Sequence, residues 1–343
     1  MGKRETKDLP IKTMAQAVEE AKAKIEIERS GIINGLYTRH KRLNRVMLKY
    51  WRFGLVTAIA GMSGSGKSAI LNMIEDDFSN PDLNPFFIDK IGILAFKYEM
   101  GAADEVLRTL SGRAEKSFSH LLSSEINQEQ SNLQKKPIYN TVDDFEYADL
   151  CSILDKLKNR PIEYIENSGN LEQLWYTCAK WKETNSNKKL IVTIDHTLLS
   201  RKLSEKDDLE LSANTAQVCI RLKKVYNAMV IPLMQMNGEI EKANRRDNQD
   251  LHFPVKTDIH CGNQVFWACD NFIIFHRPEI LHIDKYGKKP FALKTKGLIH
   301  GAVIKTRNGR TDDIFFKEEF AKGNIIEVKA EEFKWAIQPM KFE

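Results

Sequence analysis

The stretch Gly61-Met62-Ser63-Gly64-Ser65-Gly66-Lys67-Ser68 meets every fixed position of the pattern G-x-x-x-x-G-K-[ST]. It follows a short apolar run at 55–60 and precedes a segment with helical character at 68–74. In that order a strand leads into a tight turn, glycines let backbone N–H groups approach phosphate oxygens, and a helix N-terminus adds its positive dipole. The sequence therefore predicts a nucleotide-binding loop made by Gly61, Ser63, Gly64, Ser65, Gly66, Lys67, Ser68 and Ala69.

Two side chains of this loop have distinct expected roles. The Lys67 ammonium would pair with the β- and γ-phosphates, and the Ser68 hydroxyl would help to hold Mg²⁺. The predicted cofactors are therefore ATP and Mg²⁺. A Gly/Ser-rich surface turn is the alternative, but such turns rarely match four fixed positions between a strand and a helix.

Composition restricts the class of protein. The chain has 343 residues, enough for one large α/β domain with extensions or for two domains, and 42% of them are hydrophobic and 29% charged. No run of 18 apolar residues predicts a membrane span, and the polar segment 1–10 lacks the apolar core of a signal peptide. We therefore expect a cytoplasmic protein, with a phage or mobile element as one conceivable source.

The charge and the cysteines add two further restrictions. The formal net charge of +5 permits a polyanionic partner without demonstrating one. Five scattered cysteines form no C-x-x-C pair, which argues against a disulfide framework and against a structural zinc site.

Apolar runs of strand length alternate with helical stretches along most of the chain. Runs that are apolar on both faces, separated by helices, are typical of a mostly parallel sheet covered by helices on both sides. Pro232 lies inside one of the runs and cannot donate to a sheet ladder, which weakens that one prediction. The predicted strands are 91–96, 162–165, 190–194, 229–234, 272–275 and 302–304.

The segment 11–29 has apolar side chains at near-helical spacing among Glu and Lys residues. It predicts an amphipathic helix that precedes the main domain. Its apolar stripe could pack on its own domain or on a neighbouring subunit, and the sequence leaves both possibilities open.

Nucleotide hydrolysis needs a carboxylate near the metal, a group that activates water and a group that contacts the γ-phosphate, usually at the ends of neighbouring strands. Asp195 ends the apolar run 190–195 and is the candidate metal-side carboxylate. Glu99 follows the run 91–96, where a carboxylate could deprotonate water. Gln235 follows the run 229–234 and could donate a hydrogen bond to the γ-phosphate.

Several segments together resemble the C-terminal ATPase domain of the DnaB-type replicative helicases, a RecA-like fold. Phe96-Lys97-Tyr98-Glu99-Met100 is similar to the family's SLEM motif, and Phe275-His276-Arg277-Pro278-Glu279 to its LHRPE stretch. Asp195 and Gln235 fall on the family's second ATPase-motif aspartate and its motif glutamine. Lys305-Thr306-Arg307-Asn308-Gly309 is similar to KQRNG.

The resemblance implies roles that the residues alone do not establish. Glu99 would be the catalytic base, and Lys305 and Arg307 would reach the nucleotide of a neighbouring subunit in a homo-oligomer, most simply a hexameric ring on single-stranded DNA. The implied division is an N-terminal tail and linker helix at 1–30, a RecA-like ATPase domain at 31–330 and a C-terminal tail at 331–343.

The segment 257–270 has the length of the family loop SDLRESGxIEQDAD but keeps few of its residues, and His260 and Cys261 replace an arginine and a glutamate. Two functions therefore stay open: a ring-forming DNA helicase, or a RecA-like oligomeric ATPase without unwinding activity. A non-enzymatic module fits poorly, because it needs neither Glu99 nor Arg307. The candidate nucleic-acid contacts are Arg201, Lys202, Arg245, Arg246, His260, Gly262 and Asn263.

Overall fold

The computed structural model describes residues 11–195, 197, 200, 205–261, 263–287, 293–329 and 332. Its α-helices are α1 Met14–Arg29, α2 Lys41–Val46, α3 Lys67–Phe78, α4 Ala102–Ala114, α5 Phe118–Leu121, α6 Gln128–Gln134, α7 Asp144–Leu157, α8 Leu171–Thr184, α9 Asp208–Tyr226, α10 Ala243–Arg246 and α11 Asn263–Ala268. Its strands are β1 Gly35–Leu36, β2 Trp51–Arg52, β3 Thr57–Gly61, β4 Ile91–Lys97, β5 Ile162–Ile165, β6 Lys189–Asp195, β7 Met229–Gln235, β8 Asn271–His276, β9 Lys285–Tyr286, β10 Leu293–Lys294, β11 Leu298–Thr306, β12 Asp312–Glu319 and β13 Asn324–Val328.

The central sheet has the strand order β13-β12-β11-β8-β3-β7-β6-β4-β5. The six strands from β8 to β5 pair in parallel, so their carboxyl ends share one edge of the sheet. The prediction of a mostly parallel sheet flanked by helices is confirmed. Each of the predicted apolar runs lies within one strand of this sheet.

Three antiparallel strands extend the sheet beyond β8. β11 pairs with β8, β12 with β11, and β13 with β12, all antiparallel. The sequence analysis indicated only 302–304 in this region, whereas β11 runs over nine residues. β12 and β13 carry alternating polar and apolar side chains, and therefore lack the continuous apolar runs that mark the parallel strands.

β7 forms in spite of Pro232. The strand lies between β3 and β6, and Pro232 is the register partner of Ile194. Its ring removes one backbone donor from the ladder. The buried residues on both sides of it, including Ile231 and Leu233, stabilise the strand by about 1.5 to 3 kcal/mol for each fully buried side chain, which outweighs the missing hydrogen bond.

Helices cover both faces of the sheet, and alternate strand residues face opposite layers. Val192 and Ile194 of β6 pack in the cluster that contains Leu174 of α8 and Leu222 of α9. Ile191 packs on the other face, in the cluster with residues of α3. The result is a three-layer α/β/α domain in which α3, directly after the phosphate loop, lies under the centre of one face.

Helix α1 forms, as the apolar spacing predicts, with Thr13 and Gln16 making a capping box at its start. None of its residues is buried. Its contact with the domain is at its end, where Glu28 accepts hydrogen bonds from Tyr50 and Arg52 at 2.6 and 2.7 Å. The described chain therefore leaves the apolar stripe of α1 uncovered by its own domain.

Candidate nucleotide-binding site

The phosphate loop connects β3 to α3, and its glycines are required by geometry. Gly64 and Gly66 have φ values of +75° and +90°, which disfavour any residue with a side chain. A Cβ atom on Gly66 would also lie 2.4 Å from the ring of Phe320. The loop therefore adopts the conformation that exposes backbone N–H groups ahead of a helix N-terminus, which suits an anion.

The predicted polar residues meet at the carboxyl edge of the parallel strands. The Ser68 hydroxyl donates to Asp195 Oδ1 at 3.3 Å, at the end of β6. Gln235 ends β7 as the register partner of Gly61, and Glu99 follows β4 with an exposed side chain. The structure thus brings the phosphate loop, Asp195, Gln235 and Glu99 to one edge.

A depression of about 290 Å³ lies over this loop. Glu99 and the loop residues from Ser63 to Ala69 are among those that line it. It also contains residues that the sequence analysis did not identify: Met100, Arg108, Phe118, Phe320 and Gly323. No local pattern marks Phe320 or Phe118, because both reach the loop from distant segments, whereas Arg108 could have been noticed as the i+3 partner of Glu105 on the helix after Glu99.

The oxygen donors at this edge suit a hard divalent cation. Asp195 is buried, and burial raises the pKa of its carboxyl, while the neighbouring Lys97 ammonium opposes that rise. Mg²⁺ prefers carboxylate and hydroxyl oxygens together with substrate phosphates. Ser68 and Asp195 supply such donors beside the loop, so the residues present fit the ion.

Lys305 and Arg307 lie at the other edge of the sheet. In β11, Thr306 is the register partner of Asn271, and Asn271 pairs with Thr57 at the start of β3. Four residue steps along β3, about 13 Å at 3.3 Å each, separate that level from Gly61. The structure does not bring Lys305 and Arg307 to the nucleotide depression of their own chain.

Both side chains have partners at that edge. Arg307 is 57% exposed and forms an ion pair with Asp270 at 3.0 Å. Lys305 donates to the carbonyl oxygens of Phe266 and Trp267, at the end of α11. Arg307 is thus held at the surface while most of its guanidinium stays accessible.

The candidate nucleic-acid residues have differing environments. Arg245 is engaged inside the protein: it pairs with the buried Asp258 at 2.9 Å and donates to the carbonyls of Leu251 and Phe253. Arg246 is exposed. Arg245 therefore anchors the segment 245–258, and the expectation that it meets phosphate is replaced by this structural role.

The loop with His260 is attached to the nucleotide edge. The His260 N–H donates to the Gln235 carbonyl at 2.9 Å, and Met236 forms a backbone bridge with Ile259. The His260 side chain is partly exposed and lies 3.8 Å from Asp208. Asn263 begins α11. Arg201, Lys202 and Gly262 lie outside the described residues.

In the described part of the chain, no helix is both long enough and apolar enough to cross a membrane. No curated protein matches the sequence significantly. The sequence model described as "DnaB-like helicase C terminal domain" matches residues 35–323.

Solved structures share the fold at low identity. One structure, titled as the isolated ATPase domain of a single protein, superposes with a TM-score of 0.69 and 16% identity, covering 93% of this chain and 100% of that chain. A DnaB-like replicative helicase, in a structure titled with its interactions with primase, gives a TM-score of 0.70 and 16% identity, covering 93% of this chain and 68% of that chain. At this identity the two likenesses show the RecA-like fold alone.

Proposed function

The chain belongs to the DnaB-like helicase C-terminal domain family, a replicative-helicase type of ATPase, and from this premise we propose that it is an ATP-driven translocase on single-stranded DNA that works as a ring of subunits, most simply a hexamer. The observation that carries the proposal is the meeting of the phosphate loop, Asp195, Gln235 and Glu99 at one edge of the sheet. We further propose that residues 31–330 form the catalytic unit.

In this proposal each residue at the nucleotide edge has one task. The loop amides and Lys67 bind the phosphates, with Arg108 as a second positive charge in the same depression. Ser68 and Asp195 would hold Mg²⁺, which neutralises charge on the transferred phosphoryl group. Glu99 accepts a proton from the attacking water, and Gln235 donates a hydrogen bond to the γ-phosphate.

The neighbouring subunit completes the site. Arg307 and Lys305 are too far from their own phosphate loop, so we assign them to the nucleotide of the next subunit, where an arginine stabilises charge in the transition state. The uncovered apolar stripe of α1 fits a contact with that subunit. Arg246, His260, Asn263, Gly262, Arg201 and Lys202 remain the proposed DNA contacts.

The first prediction separates binding from chemistry. Glu99→Gln should lower ATP turnover by about 10² to 10⁴ while nucleotide affinity stays near that of the wild type, because only water activation is lost. Lys67→Ala should weaken both, because it removes a charge-assisted phosphate contact. Steady-state phosphate release and titration with a fluorescent nucleotide measure the two quantities.

Asp104→Asn is the matched control, since it neutralises an exposed carboxylate in the first turn of the helix that follows Glu99. It should retain wild-type turnover. Glu99→Gln protein that hydrolyses ATP as fast as this control would show that another group is the base.

Translocation is tested on a duplex with a single-stranded tail. We expect ATP-dependent strand displacement and hydrolysis that is stimulated by single strands. Hydrolysis without either response would exclude the helicase proposal and leave an oligomeric RecA-like ATPase with another role.

A further inference from the structure

Lys97 is a buried lysine behind the nucleotide edge. It ends β4, two residues before Glu99, and its side chain is 0% exposed. Its strand neighbour in the register is Asp195. A charged side chain without water contact at this position is costly, so its partners must explain why it is there.

Two buried carboxylates face the Lys97 ammonium. Nζ lies 3.0 Å from Glu75 Oε2 and 3.3 Å from Glu105 Oε2, and both carboxylates are as enclosed as the lysine. Burial lowers the pKa of the Lys97 ammonium, but the carboxylates of Glu75, Glu105 and Asp195 outweigh burial and raise it above its ordinary value. Lys97 is therefore charged at every working pH.

The two carboxylates connect Lys97 to the elements that carry the site. Glu75 is on α3, the helix of the phosphate loop, and accepts a hydrogen bond at 2.5 Å from Thr193, two residues before Asp195. Glu105 is on α4 and accepts from Asn72 of α3 at 2.8 Å. Lys97 thus joins β4, α3, α4 and, through Thr193, β6.

The network also reaches the nucleotide depression. Arg108 pairs with Glu105 at 3.2 Å and donates to the Met100 sulfur at 3.0 Å, next to Glu99 in the chain. Arg108 itself lines the depression. One charged chain therefore runs from the metal-side strand, through Lys97, to the residue beside the proposed base.

Such a cluster contributes little net stability compared with apolar residues of the same volume, because desolvation offsets the attraction between the charges. What it does supply is geometry, since each charge has its position fixed by two others. The elements that it fixes are those whose relative placement sets the distance between Glu99 and the γ-phosphate.

We propose that Lys97 is a positioning residue for hydrolysis, which holds the end of β4, and with it Glu99, against α3 and α4 through Glu75 and Glu105. This inference rests on the proposed ATPase function. It assigns Lys97 no contact with nucleotide, so its loss should change turnover far more than binding.

The test begins with Lys97→Met, which keeps the length of the side chain and removes its charge. We expect kcat to fall about tenfold to a hundredfold, as misplacement of a catalytic group by about 1 Å does, and the nucleotide Kd to stay within about threefold. A kcat within about twofold of the wild type would overturn the inference.

Lys97→Met leaves two buried carboxylates without a cation, so a second variant separates stability from positioning. The triple change Lys97→Met, Glu75→Gln and Glu105→Gln removes all three charges and should regain thermal stability, while kcat stays low because methionine cannot hold both amides. If the triple variant recovers stability and kcat together, Lys97 is only a structural residue.

Arg39→Met is the matched control, because Arg39 forms ion pairs with Asp76 and Asp77 at the other end of α3. It should lower stability and leave the kcat of the folded protein unchanged. An equal loss of kcat in both variants would argue against a specific role for Lys97.

Hydrogen exchange makes the outcome independent of the ATPase proposal. If the wild type hydrolyses no ATP, the proposed function fails, and amide exchange at 98–101 still tests the positioning. We expect faster exchange there in Lys97→Met than in Arg39→Met. Equal exchange in the two variants would overturn the inference.

Discussion

Arg245 and Arg246 are adjacent and carry the same charge, yet the fold gives them different tasks. The guanidinium of Arg245 is 14% exposed and bridges Asp258 and two backbone carbonyls. Arg246 projects from the exposed turn of α10, and its carbonyl is hydrogen-bonded to the ring of His252 at 2.8 Å. Exchange of the two roles is prevented by position alone, because only Arg245 reaches the buried carboxylate.

At the residue scale we therefore predict opposite effects for the two arginines. Arg246→Gln should weaken binding to single strands of every sequence and lower the salt dependence by about one phosphate, with unchanged stability. Arg245→Gln should destabilise the fold by about 3 kcal/mol, because it leaves Asp258 buried and unpaired. Fluorescence anisotropy at two salt concentrations and urea unfolding measure these effects, and each variant is the control for the other.

At the scale of elements, α1 is a helix without a partner in its own chain. Its capping box sets its start, and the Glu28 contacts with Tyr50 and Arg52 fix its end to the domain. The exposed apolar residues Ile11, Met14, Val18 and Ile25 recur at intervals of three, four and seven, the spacing of a seam between helices. An isolated helix of this length is marginal in water, so a packing partner would stabilise it.

Removal of 1–26, which keeps Glu28, should accordingly weaken the oligomer and leave the domain itself intact. The free energy of urea unfolding of the remaining chain should change by less than about 1 kcal/mol, since no α1 side chain is buried. Light scattering and sedimentation should show smaller assemblies. A large loss of domain stability with unchanged assembly would place the apolar stripe on its own domain instead.

At the scale of the whole molecule, the sheet places its two sets of charged residues at opposite edges. The phosphate loop, Asp195 and Gln235 lie at the carboxyl edge of the parallel strands, and Arg307 lies at the amino edge, where it pairs with Asp270. A contact between these two different surfaces is head-to-tail, and repetition of such a contact closes into a ring or continues as a filament.

Mixing two inactive variants tests this arrangement. Lys67→Ala and Arg307→Ala should each lose about a thousandfold in turnover, while a one-to-one mixture should regain up to about a quarter of wild-type activity, because a quarter of random interfaces pair an intact loop with an intact arginine. Arg307→Ala mixed with the Lys67→Ala, Arg307→Ala double variant is the control and should stay inactive. The proposal that Arg307 acts between subunits fails if subunit exchange is demonstrated and activity does not return.

The sequence by itself determined the phosphate loop, the parallel strands and the family, because each depends on residues that are close together in the chain. A strand, a glycine turn and a helix within about twenty residues admit few other structures. The same locality placed Asp195, Glu99 and Gln235 at strand ends, which parallel pairing then brought to one edge.

Only the tertiary structure decided what depends on distant partners. The antiparallel extension of β11, β12 and β13 brings Phe320 against Gly66, and nothing near either residue encodes that approach. Likewise, Arg245 became an anchor and Lys97 the centre of a buried network because carboxylates from other elements meet them. A charged residue in a sequence has no fixed role until the fold determines whether water or a carboxylate surrounds it.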